Sequence, residues 1–239
     1  MYPILRKEIN AFFSSPVAYL VIGVFLLLNG LFLWVFKDDF NILNAGFADI
    51  NNFFFLAPWI FLFLIPAITM RSFADELNSG TIELLKTKPI SHWHIVLGKF
   101  GAALTLIIIA LIPTLTYVYT VYDLGNPVGN IDIGSTIGSY IGLLFLAATY
   151  AAVGLFTSTL SKNQIVAFIL GVFITFLLFY GFDAIANNFT ENSYAIKLLG
   201  INEHFKSISR GVIDTRDIIY FVSVIVFFLF LTKQKIGDE

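Results

Sequence analysis

Six long apolar segments dominate this 239-residue chain and leave few folds open to it. Only 13% of the residues are charged and 58% are hydrophobic, whereas soluble domains are about 25% charged. About 20 apolar residues suffice to cross a bilayer as a helix. The sequence therefore predicts an all-α integral membrane protein of one domain, with transmembrane helices at residues 16–36, 53–70, 100–122, 137–160, 165–182 and 218–232.

The segment at residues 218–232 is the shortest of the six. As a helix it would rise only about 22 Å, and the hydrocarbon core is about 30 Å thick. Lys233 and Lys235 follow it, and long cationic side chains can reach up to the interface from a helix end that lies below it. We therefore expect a sixth span, and it is the weakest of the set.

Lysine and arginine are unequally divided between the two sets of loops. Nine lie on the side of the two termini and five on the other side. Cytoplasmic loops are enriched in these residues, so both termini are predicted to be cytoplasmic. Four of the other five lie in an outer loop, residues 183–217, which also carries acidic residues. Within it, residues 194–210 are equally compatible with short surface helices and with an ordinary polar loop.

The first fifteen residues have the pattern of an amphipathic helix. Leu5, Ile9, Phe12 and Phe13 fall on one helical face, with charged and polar residues elsewhere. Such a helix lies in the membrane interface rather than crossing it. We predict an interfacial helix over residues 1–15.

A hydrophilic stretch at residues 70–91 separates the second span from the third. Its first part is predicted to continue as a helix that stops at Gly80, and Thr81 is a candidate cap for a second, short helix. On that short helix Ile82, Leu85 and Pro89 would form an apolar strip. A simple linker has no use for such a strip, so the pattern indicates a docking surface.

Residue patterns of ion-coupled, nucleotide-hydrolysing and metal-binding proteins are missing from the sequence. The interiors of the predicted spans carry no Asp, Glu, Lys, Arg or His, which disfavours an ion-coupled secondary transporter. The Gly98-Lys99 pair is followed by Phe100 and not by Ser or Thr, so it is no Walker phosphate loop. A metal site at His92 and His94 is disfavoured because side chains two apart diverge on a helix. The net charge of −2 gives no reason to expect nucleic acid.

Three glycines recur every fourth residue along the start of the fourth span: Gly134, Gly138 and Gly142. This spacing lets two helix backbones approach closely in lipid. Packing within the bundle is the default interpretation, and packing against a second copy is the alternative.

Two stretches carry a resemblance to a known family. The first is MRSFADELNSGTIELLKTKPISHWHIVLGKF, residues 70–100, and the second is EHFKSISRGVIDTRDIIYF, residues 203–221. The first resembles the cytoplasmic segment between the second and third spans of type-2 ABC transporter permeases. The second is similar to the stretch that leads into the sixth span of that family.

The resemblance implies a permease subunit in the bacterial inner membrane, working as a dimer or with a sister permease. It also implies that the chain is no enzyme and holds no cofactor, since ATP and Mg would bind a separate ATP-binding subunit. The coupling segment, residues 71–99, and the interfacial helix would contact that subunit. The residues assigned to this contact are Lys7, Glu8, Arg71, Asp75, Glu76, Gly80, Thr81, Glu83, Leu84, Leu85 and Pro89. The alternative function is a non-transporting anchor or assembly factor of a surface machinery.

Overall fold

A computed structural model describes residues 1–44, 46–86, 91–188 and 193–238, without the side chains of residues 84–86, 193 and 238. Within these ranges every regular element is a helix. In chain order the helices are α1 (Tyr2–Phe13), α2 (Pro16–Gly30), α3 (Asn51–Thr69), α4 (Arg71–Asn78), α5 (Thr81–Lys86), α6 (His92–Leu111), α7 (Leu115–Leu124), α8 (Ile133–Ser158), α9 (Gln164–Phe176), α10 (Phe182–Ala186), α11 (Ser193–Lys197), α12 (Ile201–Ser209) and α13 (Thr215–Asp238).

Six helical segments are long and apolar enough to cross a membrane, in agreement with the predicted number. They run over Pro16–Val35, Asn51–Asn78, His92–Leu124, Ile133–Ser158, Gln164–Ala186 and Thr215–Gly237. Several contain more than one helix, because short irregular turns interrupt them. Pro113, for example, lies in the 3₁₀ turn Ile112–Thr114 that divides the third segment into α6 and α7, as expected for a residue that lacks a backbone N–H.

The sixth segment is longer than the sequence indicates. Helix α13 has 24 residues, which corresponds to about 36 Å and exceeds the thickness of the hydrocarbon core. The difference arises because polar residues at both ends, from Thr215 and up to Asp238, continue the helix. The expected sixth span is thus present, and the predicted range 218–232 covers the apolar part of this longer helix.

Helix α8 is the centre of the bundle. It packs against α3, α6, α9, α12 and α13. Gly154 lies on α8, and a Cβ there would overlap Thr69 Oγ1 of α3. Thr69 turns this hydroxyl to its own helix and donates to the carbonyl oxygen of Ile65 at 3.0 Å. Close approach of small residues is the usual means of packing helices in lipid, and here it brings α3 against α8.

The glycines at the start of α8 face helix α12. A Cβ at Gly138 would lie 2.5 Å from the carbonyl oxygen of Ile208, and one at Gly142 would lie 3.1 Å from the ring of Phe205. A Cβ at Gly134 would meet only its neighbour Asp132 within the same distance range. The close neighbour of Gly138 and Gly142 is thus another helix of the same chain.

Residues 194–210 of the outer loop form helices, which decides between the two interpretations left open by the sequence. Helix α12 lies at the end of the bundle away from the coupling segment, which we call the outer end. His204 of α12 contacts Asp217 Oδ1 of α13 through Nδ1 at 2.7 Å and the carbonyl oxygen of Leu198 through Nε2 at 2.9 Å. Its ring also stacks on Tyr220. These contacts join α12 to α13.

Replacing Gly138 by alanine should destabilise the protein by about 1–3 kcal/mol, because the new methyl group has no space beside the Ile208 carbonyl. SDS titration of the purified protein measures the change. Gly30→Ala is the matched control, since nothing lies within 4 Å of a Cβ at Gly30. Equal losses in the two variants would contradict the assigned packing of α12 on α8.

Candidate functional site

Helix α1 lies against α6, and two glycines of α6 allow the contact. A Cβ at Gly98 would meet Ile4 at 2.9 Å, and one at Gly101 would meet Leu5 at 2.8 Å. The predicted helix over residues 1–15 is present, but its buried positions include Ile4 as well as Phe12. Ile4 was not included in the predicted apolar face, because that face was expected to contact lipid. In the structure, part of the apolar surface of α1 packs on protein instead.

Lys99 follows Gly98 in α6 and is buried, with only 2% of its side chain exposed. Its Nζ donates to Glu8 Oε1 of α1 at 2.9 Å, to Glu76 Oε1 of α4 at 3.0 Å and to the carbonyl oxygen of Ser72 at 2.7 Å. A lysine ammonium has three N–H donors, so all of them are used. One side chain therefore joins three helices. We call Lys99, Glu8 and Glu76 the lysine triad.

The charges around the lysine triad are balanced. Lys7 Nζ lies 3.5 Å from Glu76 Oε1 and 3.9 Å from Glu8 Oε1, and its side chain is 62% exposed. Two lysines thus face two carboxylates. The exposed Lys7 contributes little to stability because water screens its charge. The buried one matters more, since removal of one partner of a buried ion pair leaves an uncompensated charge.

Aromatic and apolar side chains surround the lysine triad. The Lys99 ammonium lies 5.0 Å from the centre of the Phe73 ring. Phe73 belongs to a buried cluster with Ile4, Ile82 and Ile95, which come from α4, α1, α5 and α6. The short helix α5 is therefore attached to the same group of helices through Ile82, which is 6% exposed. Helices α1, α4, α5 and α6 thus pack together, and we call this group the coupling unit.

From the sequence, the Gly98-Lys99 pair was considered only as a failed phosphate loop, and Lys99 was placed in the cytoplasmic segment 71–99. In the structure Lys99 lies inside α6 and is buried against α1 and α4. The Gly98-Lys99 pair was the sequence clue to this contact. A glycine next to a lysine, just before an apolar segment, lets a helix that carries a carboxylate approach closely. The expectation of an exposed apolar docking strip is wrong for Ile82, because Ile82 is buried against the other helices of the chain. Pro89 and the Leu85 side chain lie outside the described residues.

The structure divides the predicted contact residues into two groups. Glu8 and Glu76 point inward to Lys99, and each carboxylate side chain is only 14% exposed. The residues that remain open at the surface are Lys7, Asp75, Gly80, Thr81 and Glu83, and Arg71 is half-buried. The side chains of Leu84 and Leu85 are not described. The inward group holds the coupling unit together, and the outward group is available to a partner.

The chain turns sharply between α4 and α5. Gly80 has a φ of +69°, a conformation that favours glycine after a helix end, as the sequence predicts. Thr81 is the first residue of α5 rather than its cap, and its hydroxyl lies 2.9 Å from that of Ser79. Asp75 accepts a hydrogen bond from the Gln164 side chain at the start of α9. The coupling unit is thereby also connected to the fifth span.

Among the described residues, no group of three or more His, Asp or Glu side chains could hold a metal ion. His94 Nδ1 lies 2.9 Å from the Ser91 hydroxyl, and Ser91 caps α6 by accepting a hydrogen bond from the His94 backbone N–H. The site has the means to hold helices together and to present an exposed surface.

Comparison with protein families decides the assignment of the chain. The model of the family described as ABC-2 family transporter protein matches residues 3–232. The chain belongs to the ABC-2 family of transporter proteins. No curated protein matches the chain. Membership in the ABC-2 family makes it a multi-pass membrane component of an ABC transporter, distinct from the ATPase, and implies association with an ATP-binding subunit.

Replacing Lys99 by methionine should destabilise this ABC-2 permease by about 3–5 kcal/mol, because Glu8 and Glu76 would lose their buried counter-charge and keep only the exposed Lys7. SDS titration of the purified protein measures the loss. Lys162→Met is the matched control, since Lys162 is exposed.

The triple variant Lys99→Met, Glu8→Gln, Glu76→Gln provides a second check. It removes all three charges together, and we expect it to recover part of the stability lost in Lys99→Met. Absence of any recovery, or an equal loss in Lys162→Met, would show that the lysine triad does not stabilise the protein through its charges.

Proposed function

We propose that this protein is the permease subunit of an exporter-type ABC transporter, driven by separate ATP-binding subunits. The observation that supports this proposal is the coupling unit, in which one buried lysine joins α1, α4 and α6 beside an exposed short helix. A surface that receives force must be attached firmly to the helices it moves. The lysine triad provides that attachment.

The proposed mechanism is a rigid movement of the coupling unit. ATP-driven closure of the partner subunits would push α5, and the buried Ile82 would pass this displacement to α4 and α1. Helix α4 follows directly on α3, with Met70 between them. Displacement of α4 would therefore tilt the second span, and Lys99 would move the third span with it. Small shear movements of packed helices are a common form of such transitions.

The exposed spans support the proposal of a dimeric membrane core, formed with a second copy or a sister permease. In the segments Pro16–Val35, Gln164–Ala186 and Thr215–Gly237 only 28% of the most apolar window is buried, against 78% for Ile133–Ser158. The exposed faces are apolar and suit lipid or a partner helix. The first, fifth and sixth spans are therefore the proposed periphery of each subunit, where a partner would pack.

The cellular context is also a proposal. We place the coupling unit on the cytoplasmic side of the bacterial inner membrane, supported by the excess of lysine and arginine on that side. The two quoted sequence stretches resemble those of GldF, the gliding-motility permease of Bacteroidetes, which supports a link to gliding motility or surface export.

Glu83→Lys should weaken co-purification of the permease with its ATP-binding subunit. Glu83 is exposed on α5, and a reversed charge at the centre of a protein contact typically costs several kcal/mol. Asp123→Lys is the control, because Asp123 is exposed at the outer end. Retention of the partner by Glu83→Lys, with ATP hydrolysis still coupled to the permease, would contradict the proposed contact.

Cysteine labelling tests the proposed orientation, since the natural chain contains no cysteine. In intact cells a membrane-impermeant maleimide should label Asp123→Cys and leave Glu83→Cys unlabelled until the membrane is opened. The reverse pattern would place the coupling unit outside the cell and exclude an intracellular ATPase as its partner. Observation of ATP-dependent export would favour the permease function over the alternative of a non-transporting anchor.

A further inference from the structure

A cavity of about 630 Å³ opens at the outer end of the bundle. It lies between the start of α3, the turn and helix that end the fifth span, and α12. It is distant from the lysine triad, which lies at the opposite end, and the proposed transport mechanism makes no use of it. Its lining combines aromatic residues of the second and fifth apolar segments with cationic residues of the outer loop.

One wall of the cavity is aromatic. Phe55, Trp59 and Tyr180 line it, and Trp59 also contacts the ring of Phe179 edge-on with 5.3 Å between the centres. Phe55 is 58% exposed and Tyr180 is 42% exposed, so this wall is continuous with the lipid-facing surface of the bundle. Tryptophan and tyrosine are typical of the level where acyl chains meet headgroups.

A second wall of the cavity is cationic. Lys197, Lys206 and Arg210 line it, and none of the three forms an ion pair within the described part of the chain. Two carboxylates, Asp183 and Glu203, also line the cavity. Asp183 already accepts a hydrogen bond from the Asn202 side chain at 2.5 Å. The cations exceed the carboxylates by three to two, and the cations are not neutralised by direct contact.

We propose that this cavity binds a glycerophospholipid. Its phosphate diester would lie between Lys206 and Arg210, and an acyl chain would follow Phe55 and Trp59. Cations from the outer loop beside aromatic side chains from the apolar segments match the headgroup and acyl chain of a phospholipid, and basic pockets between transmembrane helices are known to bind lipid headgroups. The aromatic wall distinguishes a lipid from a soluble phosphate, which would gain nothing from it. The proposal is independent of the transport function.

Native mass spectrometry of the delipidated protein in detergent tests the proposal, with phosphatidylglycerol as the probe. The double variant Lys206→Ala, Arg210→Ala should weaken lipid binding about thirtyfold, given about fivefold for each cation near a lipid phosphate. Both residues are exposed, so the variant should fold, which circular dichroism and SDS titration verify.

The matched control is Lys37→Ala, Arg216→Ala, which removes two exposed cations from the same end but outside this cavity. It should bind phosphatidylglycerol within about twofold of the unaltered protein. Diacylglycerol with the same acyl chains should bind weakly, and glycerol 3-phosphate should not displace the lipid. An equal loss in both double variants, no loss in either, or displacement by glycerol 3-phosphate would overturn the proposal.

Discussion

The interaction on which the architecture of the coupling end depends is the burial of one ammonium group. Lys99 satisfies its three N–H donors with two carboxylates and a backbone carbonyl from other helices. Each of the three helices would otherwise bury an unpaired charge or leave a polar group without a partner. Because breaking such a contact is costly, we expect the three helices to move together. Under the proposed function, a surface built on them would transmit displacement to the spans.

Close approach of helix backbones sets the rest of the bundle. Gly98 admits α1 to the surface of α6, Gly138 admits α12 to α8, and Gly154 admits α3 to α8. In lipid the hydrophobic effect does not drive apolar helices together, so fit and van der Waals contact decide the arrangement. Glycine at these contacts places the carboxylate of Glu8 within reach of Lys99 and holds the outer helices on the central span.

The number of spans was predictable because apolar length alone determines it, and the helix stop at Gly80 was predictable from local backbone preference. The partners of Glu8 and Glu76 were not predictable, because 91 and 23 positions separate them from Lys99 and no local pattern encodes that pairing. The length of the last helix was underestimated since polar residues continue a helix beyond its apolar part. The assignment of Glu83 and the surface of α5 to a partner contact remains a prediction.

Spin labels on α1 and α4 test the central claim, that the coupling unit moves as one body. Asn10→Cys and Asn78→Cys place labels at exposed positions of the two helices in a chain without natural cysteine. Pulsed electron paramagnetic resonance of the assembled transporter should give the same narrow distance between them with and without bound ATP, and a broad one after Lys99→Met. A distance that shifts with ATP while Lys99 is intact would contradict the account.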